Sequence, residues 1–216
     1  MSKVSGVLAF AALLLVAAVT EAPAVAFNSI AGFGTCSSAV VTCVAGAPVA
    51  ITPNPLWTPN GATAVWVSYA QTGQLGIVAP NALSLATAAA TATYTFSIAA
   101  GFESLSLLLW ADDTLGVRLD GASILAPSAA QGPTCAAVGV TCTGAGTPLN
   151  IPLGGLAHTL QFDVFQIALD THGVMFQGDL QQVPIPEPAS LLLVGSALAA
   201  VGFVSRRRTQ KKESHA

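Results

Sequence analysis

The stretch Thr93-Tyr94-Thr95-Phe96-Ser97-Ile98 decides the fold class. Large apolar residues alternate strictly with small hydroxyl residues, which is the period of a strand with one buried and one solvated face. Thr91, Thr93 and Thr95 are read as the solvent face of that strand. The same period recurs along the chain. Val65, Val67 and Tyr69 alternate with Trp66 and Ser68. Leu105, Leu107 and Leu109 alternate with Ser104, Ser106 and the apolar Leu108, so this strand is expected to be covered on both faces near its end. Leu115, Val117 and Leu119 oppose Gly116, Arg118 and Asp120, and Leu160, Phe162 and Val164 oppose Gln161, Asp163 and Phe165.

Turn residues punctuate these runs. Asp120-Gly121 reads as a two-residue hairpin turn, with Ser123-Ile124-Leu125 returning. Pro53-Asn54-Pro55, Pro59-Asn60-Gly61, Pro80-Asn81, Gly154-Gly155 and His172-Gly173 mark further turns. Only Asn81 to Ala92 has helical character, weakened by Thr87 and Thr91. Short strands with frequent turns predict an all-β fold, an antiparallel β-sandwich or jelly roll.

The cysteines form two pairs of equal spacing, Cys36 with Cys43 and Cys135 with Cys142, each ending in Val-Thr-Cys. An exported chain meets an oxidising compartment, so disulfides are expected. Two similar hairpins would close locally, Cys36–Cys43 and Cys135–Cys142; the competing pattern joins the hairpins, for example Cys36–Cys142. Zinc prefers closer spacing and flanking histidines.

Both ends of the chain are apolar and inflate its 53% hydrophobic content. Residues 1–26 combine Lys3, an apolar run and the small-x-small site Ala24-Val25-Ala26, the layout of a signal peptide cleaved before Phe27. Residues 27–182 then form the β-sandwich domain. Arg118 is its one arginine, facing Glu103, Asp112, Asp113, Asp120, Asp163, Asp170 and Asp179; no lysine accompanies it. Such a surface cannot neutralise a phosphate backbone, which excludes nucleic acid as a partner.

The tail, residues 183–212, has three parts in order: Pro186-Glu187-Pro188, an uncharged apolar run from Ala189 to Val204, and the basic cluster Arg206, Arg207, Arg208, Lys211 and Lys212. About sixteen residues at about 1.5 Å rise make a short transmembrane helix, and the arginines hold its end in the cytoplasm. The prolines keep the triplet extended and open to an enzyme. This composite resembles the PEP-CTERM sorting signal of Gram-negative bacteria, the substrate tail of exosortases. The resemblance implies an exosortase partner, a passage through the inner membrane with a transient anchor, and a final site at the cell surface or in the extracellular matrix. It further implies a non-enzymatic binding or structural module associated with exopolysaccharide; a surface hydrolase acting on matrix polysaccharide is the alternative.

A second resemblance lies in the domain. Trp110-Ala111-Asp112-Asp113 followed by Val117-Arg118-Leu119-Asp120-Gly121, and later His158-Thr159-Leu160-Gln161-Phe162-Asp163-Val164, look like two stretches of secreted galactose-binding-like jelly rolls. There they face each other across the sandwich. Asp120 and His158 each stand where asparagine is common.

Three chemistries are weighed on these residues. Asp112, Asp113 and Asp120 could supply oxygen ligands to a structural calcium; turn formation is the competing role. Trp57, Trp66 and Trp110 are candidates to stack on sugar rings, Trp57 as the exposed one because prolines surround it, with core filling the competing role for Trp66 and Trp110. No catalytic residue is expected: paired acids for glycoside hydrolysis are not evident, and His158 and His172 sit in no triad or metal motif.

Overall fold

The computed structural model describes residues 23–74, 90–128, 140–166, 171–184 and 195–196. Among these, eleven strands form two antiparallel sheets: β1 (Val25–Ala26), β2 (Thr35–Ser37), β3 (Val49–Ala50), β4 (Val67–Ser68), β5 (Ala92–Ile98), β6 (Phe102–Asp112), β7 (Thr114–Leu119), β8 (Ala122–Leu125), β9 (Thr147–Pro152), β10 (His158–Phe165) and β11 (Gly173–Gln182). The first sheet runs β3-β4-β11-β6-β9, with β1 also on β11; the second runs β2-β5-β10-β7-β8.

The alternation seen in the sequence sets which side chains meet between the sheets. Tyr94, Phe96, Ile98, Leu115, Val117, Leu160, Phe162 and Val164 enter one core from the second sheet. Leu105, Leu107, Leu109, Val174, Phe176, Leu180 and Ile151 enter the same core from the first. The result is a β-sandwich. Asp120 and Gly121 have φ of 51° and 82°, and Leu119 pairs with Ala122. Two successive positive φ values make the tight turn whose twist matches a hairpin.

A second core lies on the outer side of the first sheet. Trp110 and Met175, which point away from the shared core, are covered by Ile51, Trp57, Ala64, Trp66 and Cys142. That covering is the two-sided burial expected near the end of β6; Leu108, two residues earlier, stays exposed.

Three expectations change. Of the stretches that resemble a galactose-binding-like jelly roll, the Val117–Gly121 part does not face His158–Val164 across the sandwich: β7 and β10 are hydrogen-bonded neighbours, Gln161 opposite Arg118. The chain crosses from one sheet to the other between Asp112 and Thr114, so the first of those stretches is split between sheets. Ala92 opens β5 rather than ending a helix, and Ala90 and Thr91 before it are not helical; residues 81–89 of that expected helix lie outside the described residues. Strand pairing also begins before Phe27, with Val25 opposite Leu180 and Ala26 opposite Asp179. Cleavage after Ala26 removes that pair but keeps the bonds from Phe27 N to the Gly178 carbonyl and from Ser29 N to the Phe176 carbonyl, 2.8 and 2.9 Å.

Cys36 and Cys43 are disulfide-bonded, with Cα atoms 5.8 Å apart. This is the local pairing, and it removes the Cys36–Cys142 alternative. Cys142 is buried and also disulfide-bonded; Cys135 lies outside the described residues. So do residues 1–22 of the signal-peptide reading and most of the tail, of which Gly195 and Ser196 are helical.

Close packing around β11 makes one backbone position intolerant of a side chain. A Cβ on Gly178 would lie 2.2 Å from the Ser106 carbonyl oxygen and 2.7 Å from Leu107 Cδ2. Gly178→Ala should therefore cost about 2–3 kcal/mol through forced displacement of the strand, a fall of roughly 5–10 °C in Tm. A calorimetric scan with an unchanged midpoint would refute this account of the packing.

Candidate functional site

The outer face of the second sheet carries the polar half of each alternating strand. Register arranges it in rows. Ser37, Thr93, Asp163 and Gly116 lie side by side on β2, β5, β10 and β7; Thr35, Thr95, Gln161 and Arg118 form the next row. Arg118 reaches diagonally into the first row. Its Nε donates to Asp163 Oδ2 at 2.6 Å and its Nη2 to Oδ1 at 2.7 Å. Thr93 Oγ1 donates to the same Oδ1 at 2.7 Å. The paired fork is the strong geometry for guanidinium and carboxylate. These hydrogen bonds are the main reason the Arg118 pKa is raised above its ordinary value.

The pair lines an open cleft of about 640 Å³, together with Ser37, Ser38, Ala39, Ala90, Thr93 and Phe165. The Asp163 side chain is 11% exposed and that of Arg118 37%. The carboxylate therefore forms the floor, and the guanidinium lies between floor and solvent. This site joins residues that sequence reading left apart. Arg118 was recognised as the lone cation of residues 27–182 and Asp163 as a strand residue; only strand adjacency brings them together.

A second polar cluster ties the β7–β8 turn to the start of β10. Asp120 Oδ1 accepts the Thr159 N–H at 2.8 Å, and Oδ2 meets His158 Nδ1 at 2.7 Å. His158 Nε2 meets the Leu153 carbonyl at 2.7 Å. The two positions that depart from the pattern the sequence resembles are thus in contact with each other. With an acceptor at each nitrogen, the imidazolium form can donate twice. The Leu153 carbonyl, then Asp120, raise the His158 pKa; the Thr159 N–H, then His158, lower that of Asp120.

A third cluster is enclosed. Ser68 Oγ lies 2.8 Å from His172 Nδ1, and Thr72 Oγ1 donates to Ser68 Oγ at 2.7 Å. All three residues are fully buried, so this Ser–His contact is closed to substrate. Burial lowers the His172 pKa to about 4.

The tryptophan expectation is overturned. Trp57, Trp66 and Trp110 are all buried, at 5%, 0% and 6% exposure. Trp57 packs on Trp66 with centroids 4.3 Å apart. Trp66 Nε1 donates to the Thr58 carbonyl and Trp110 Nε1 to the Gly144 carbonyl. The proline-rich loop folds over the apolar outer side of β6 and β11, and Trp57 fills the gap between them. The core-filling reading holds for Trp66 and Trp110.

The calcium set is not assembled. Asp112 is buried beside Thr171 Oγ1, 3.1 Å away. Asp112 and Asp113 lie at one end of β7 and Asp120 at the other, and six extended residues span roughly 20 Å. Among the described residues no three His, Cys, Asp or Glu side chains converge as a metal site. Glu103 is exposed on β6, in the other sheet from Asp163. The remaining sequence-marked residues, Pro186, Glu187, Pro188, Arg206, Arg207 and Arg208, lie outside the described residues.

The two histidines give the fold opposite responses to pH. The raised His158 pKa makes its contribution fully present below about 6.5, and that contribution is lost as pH rises through the folded-state value. The lowered His172 pKa acts on the acid side: the unfolded chain binds a proton that the folded chain refuses, so stability falls as pH drops from about 6.5 toward about 4. Imidazole NMR should show His158 titrating above, and His172 below, the usual range, and Asp120→Asn should bring His158 down. A His172 ring that titrates near 6.5 would contradict its enclosure.

No curated protein matches the chain. Among solved structures, an exo-β-1,3-galactanase from Phanerochaete chrysosporium with β-1,3-galactotriose aligns at 12% identity over 73% of this chain and 29% of its own, with a TM-score of 0.30. The same enzyme with galactose aligns at 13% identity over the same shares, with a TM-score of 0.31. A cycloisomaltooligosaccharide glucanotransferase from Paenibacillus sp. complexed with cycloisomaltoheptaose aligns at 16% identity over 69% of this chain and 18% of its own, with a TM-score of 0.29. The chain spans less than a third of each, and at such scores neither fold nor ligand is carried over. Residues 184–208 match the PEP-CTERM protein-sorting motif: the chain carries the sorting signal of an exosortase substrate.

Proposed function

We propose that this protein is delivered by an exosortase to the cell surface or extracellular matrix, where its jelly-roll-like β-sandwich serves as a non-enzymatic module that associates with exopolysaccharide. The sorting motif at residues 184–208 carries the reading. Its parts have separable tasks. The apolar run holds the chain in the inner membrane, the arginines stop translocation, and Pro186-Glu187-Pro188 is offered to the peptidase on the far side. The signal peptide at residues 1–26 supplies the matching export step. Polysaccharide is favoured over nucleic acid because the domain's surface is acidic and its one arginine is already paired with Asp163. A binding role is favoured over hydrolysis because that same pairing engages Asp163, which leaves it poorly placed as an acid or base opposite a second carboxylate.

In a host that expresses an exosortase, the mature protein should lack the basic tail. Intact-mass spectrometry of surface material should place the new C-terminus near Pro186-Glu187-Pro188, and Glu187→Ala should leave the tail in place. Mature surface protein that still carries Arg206 to Lys212 would sink the reading.

A further inference from the structure

From the outer face of the second sheet we infer that the Arg118–Asp163 cleft binds a neutral, hydroxyl-rich glycan, gripping adjacent ring hydroxyls between the guanidinium and the carboxylate. This rests on the proposed association with exopolysaccharide and names its site and its ligand class.

The argument begins with satisfiability. A carboxylate offers roughly four lone-pair sites, and Asp163 fills three of them with Arg118 and Thr93. One acceptor direction remains. Arg118 commits two N–H groups to Asp163; the rest of its fork stays available at the cleft wall. Acceptor and donors thus sit next to each other on a partly desolvated surface. Adjacent hydroxyls of a pyranose match this pattern, because one can accept from the guanidinium while its neighbour donates to the carboxylate. Ser37 and Thr93 add hydroxyls along the same row. Phe165, 8% exposed, contributes only the edge of an apolar wall beside them. The cleft's volume of about 640 Å³ lies in the range of small-ligand sites.

Charge then selects among glycans. Arg118 and Asp163 cancel within the cleft, His158 is paired with Asp120, and the other charged side chains of residues 27–182 are carboxylates. A uronic-acid polymer would meet net repulsion and no unpaired cation. A neutral sugar pays no such penalty. The site is also held rigidly: its side chains project from four adjacent strands whose opposite faces are locked in the core, so little ordering is needed on binding.

The test uses the full chain in a detergent without a sugar headgroup, titrated with neutral hexose trisaccharides of gluco, galacto and manno configuration and with trigalacturonate. Amide NMR shifts and calorimetry are read together. At least one neutral trisaccharide should saturate, with shifts centred on Ser37, Thr93, Arg118 and Asp163, and trigalacturonate should not compete. Arg118→Gln should weaken binding about tenfold or more through loss of a charge-assisted bond. Thr93→Val keeps the β-branched shape, so it should weaken binding while the lost bond to Asp163 lowers Tm by only a few degrees. Ser106→Ala, on the other sheet, should leave affinity as it is. Saturable binding whose shifts map elsewhere, or that ignores both cleft variants, overturns this inference and leaves the surface-module reading standing. Tighter binding of trigalacturonate overturns the neutral class. Failure of every glycan to bind removes the cleft proposal and the polysaccharide association together.

Discussion

The two sheets are joined through phenylalanine. Phe176 of β11 meets Phe162 of β10 and Phe96 of β5 edge to face, with centroids 5.0 and 5.1 Å apart. Phe27 and Phe33 close the same cluster from the N-terminal segment, each within 6 Å of Phe96. Such rings bury large areas and prefer this geometry over flat stacking. Their placement fixes more than the core. With Phe162 inward, Gln161 and Asp163 must point out; with Phe96 inward, Thr93 and Thr95 must; with Val117 inward, Arg118 must. A slip of one residue would turn Asp163 of β10, Arg118 of β7 or the threonines of β5 toward the core, and Phe162, Val117 or Phe96 toward water. The polar face is therefore a consequence of the seam, and its register is as well specified as the core itself.

The outer faces of the two sheets have different fates. On the first sheet Trp110 and Met175 need a cover, and two loops provide it. They are bound to each other, Thr58 N donating to the Cys142 carbonyl at 2.9 Å, and to the tryptophans through indole N–H groups. Gly146 permits the close approach: a Cβ there would lie 2.6 Å from the Trp110 ring. The described part of the second sheet keeps an open cleft over Arg118 and Asp163. Among the described residues the sandwich thus has a padded side and a polar side, and the polar side offers unfilled hydrogen-bonding capacity at a concave surface.

Period-two alternation was enough to read β5, β7 and β10, and Asp120-Gly121 was enough to read the hairpin between β7 and β8, because both signals are local. The tail was legible for the same reason: its triplet, apolar run and arginines are contiguous. What could not be read is what depends on which strands are neighbours. Arg118 and Asp163 are 45 residues apart, and alternation says only that both face away from a core. Nothing local says that β6 and β7, separated by Asp113 alone, belong to different sheets. Trp57 was misread for a related reason. Proline-rich surroundings indicate a loop, and loops usually run over the surface, but this one runs over an apolar face that distant strands create.

The Arg118–Asp163 pair adds little to stability, since a partly exposed ion pair is worth about 0–1 kcal/mol, whereas the phenylalanine seam beneath it sets the fold. Its effect is to hold donors and acceptor in a fixed relation on a rigid floor. A site of that kind makes few contacts with a sugar and binds each copy weakly. Sorting changes the consequence of weak binding. On the proposed reading, many copies retained at one surface face a polymer with many repeats, so each bound repeat raises the local concentration of the next, and avidity grows without any new contact. Neutral recognition suits that arrangement: attraction that does not rely on long-range charge is little screened by salt, and the acidic remainder of the domain keeps neighbouring copies apart. On the proposed reading, the export signals and the modest cleft are parts of one design, in which placement at the surface supplies the strength that the single site lacks.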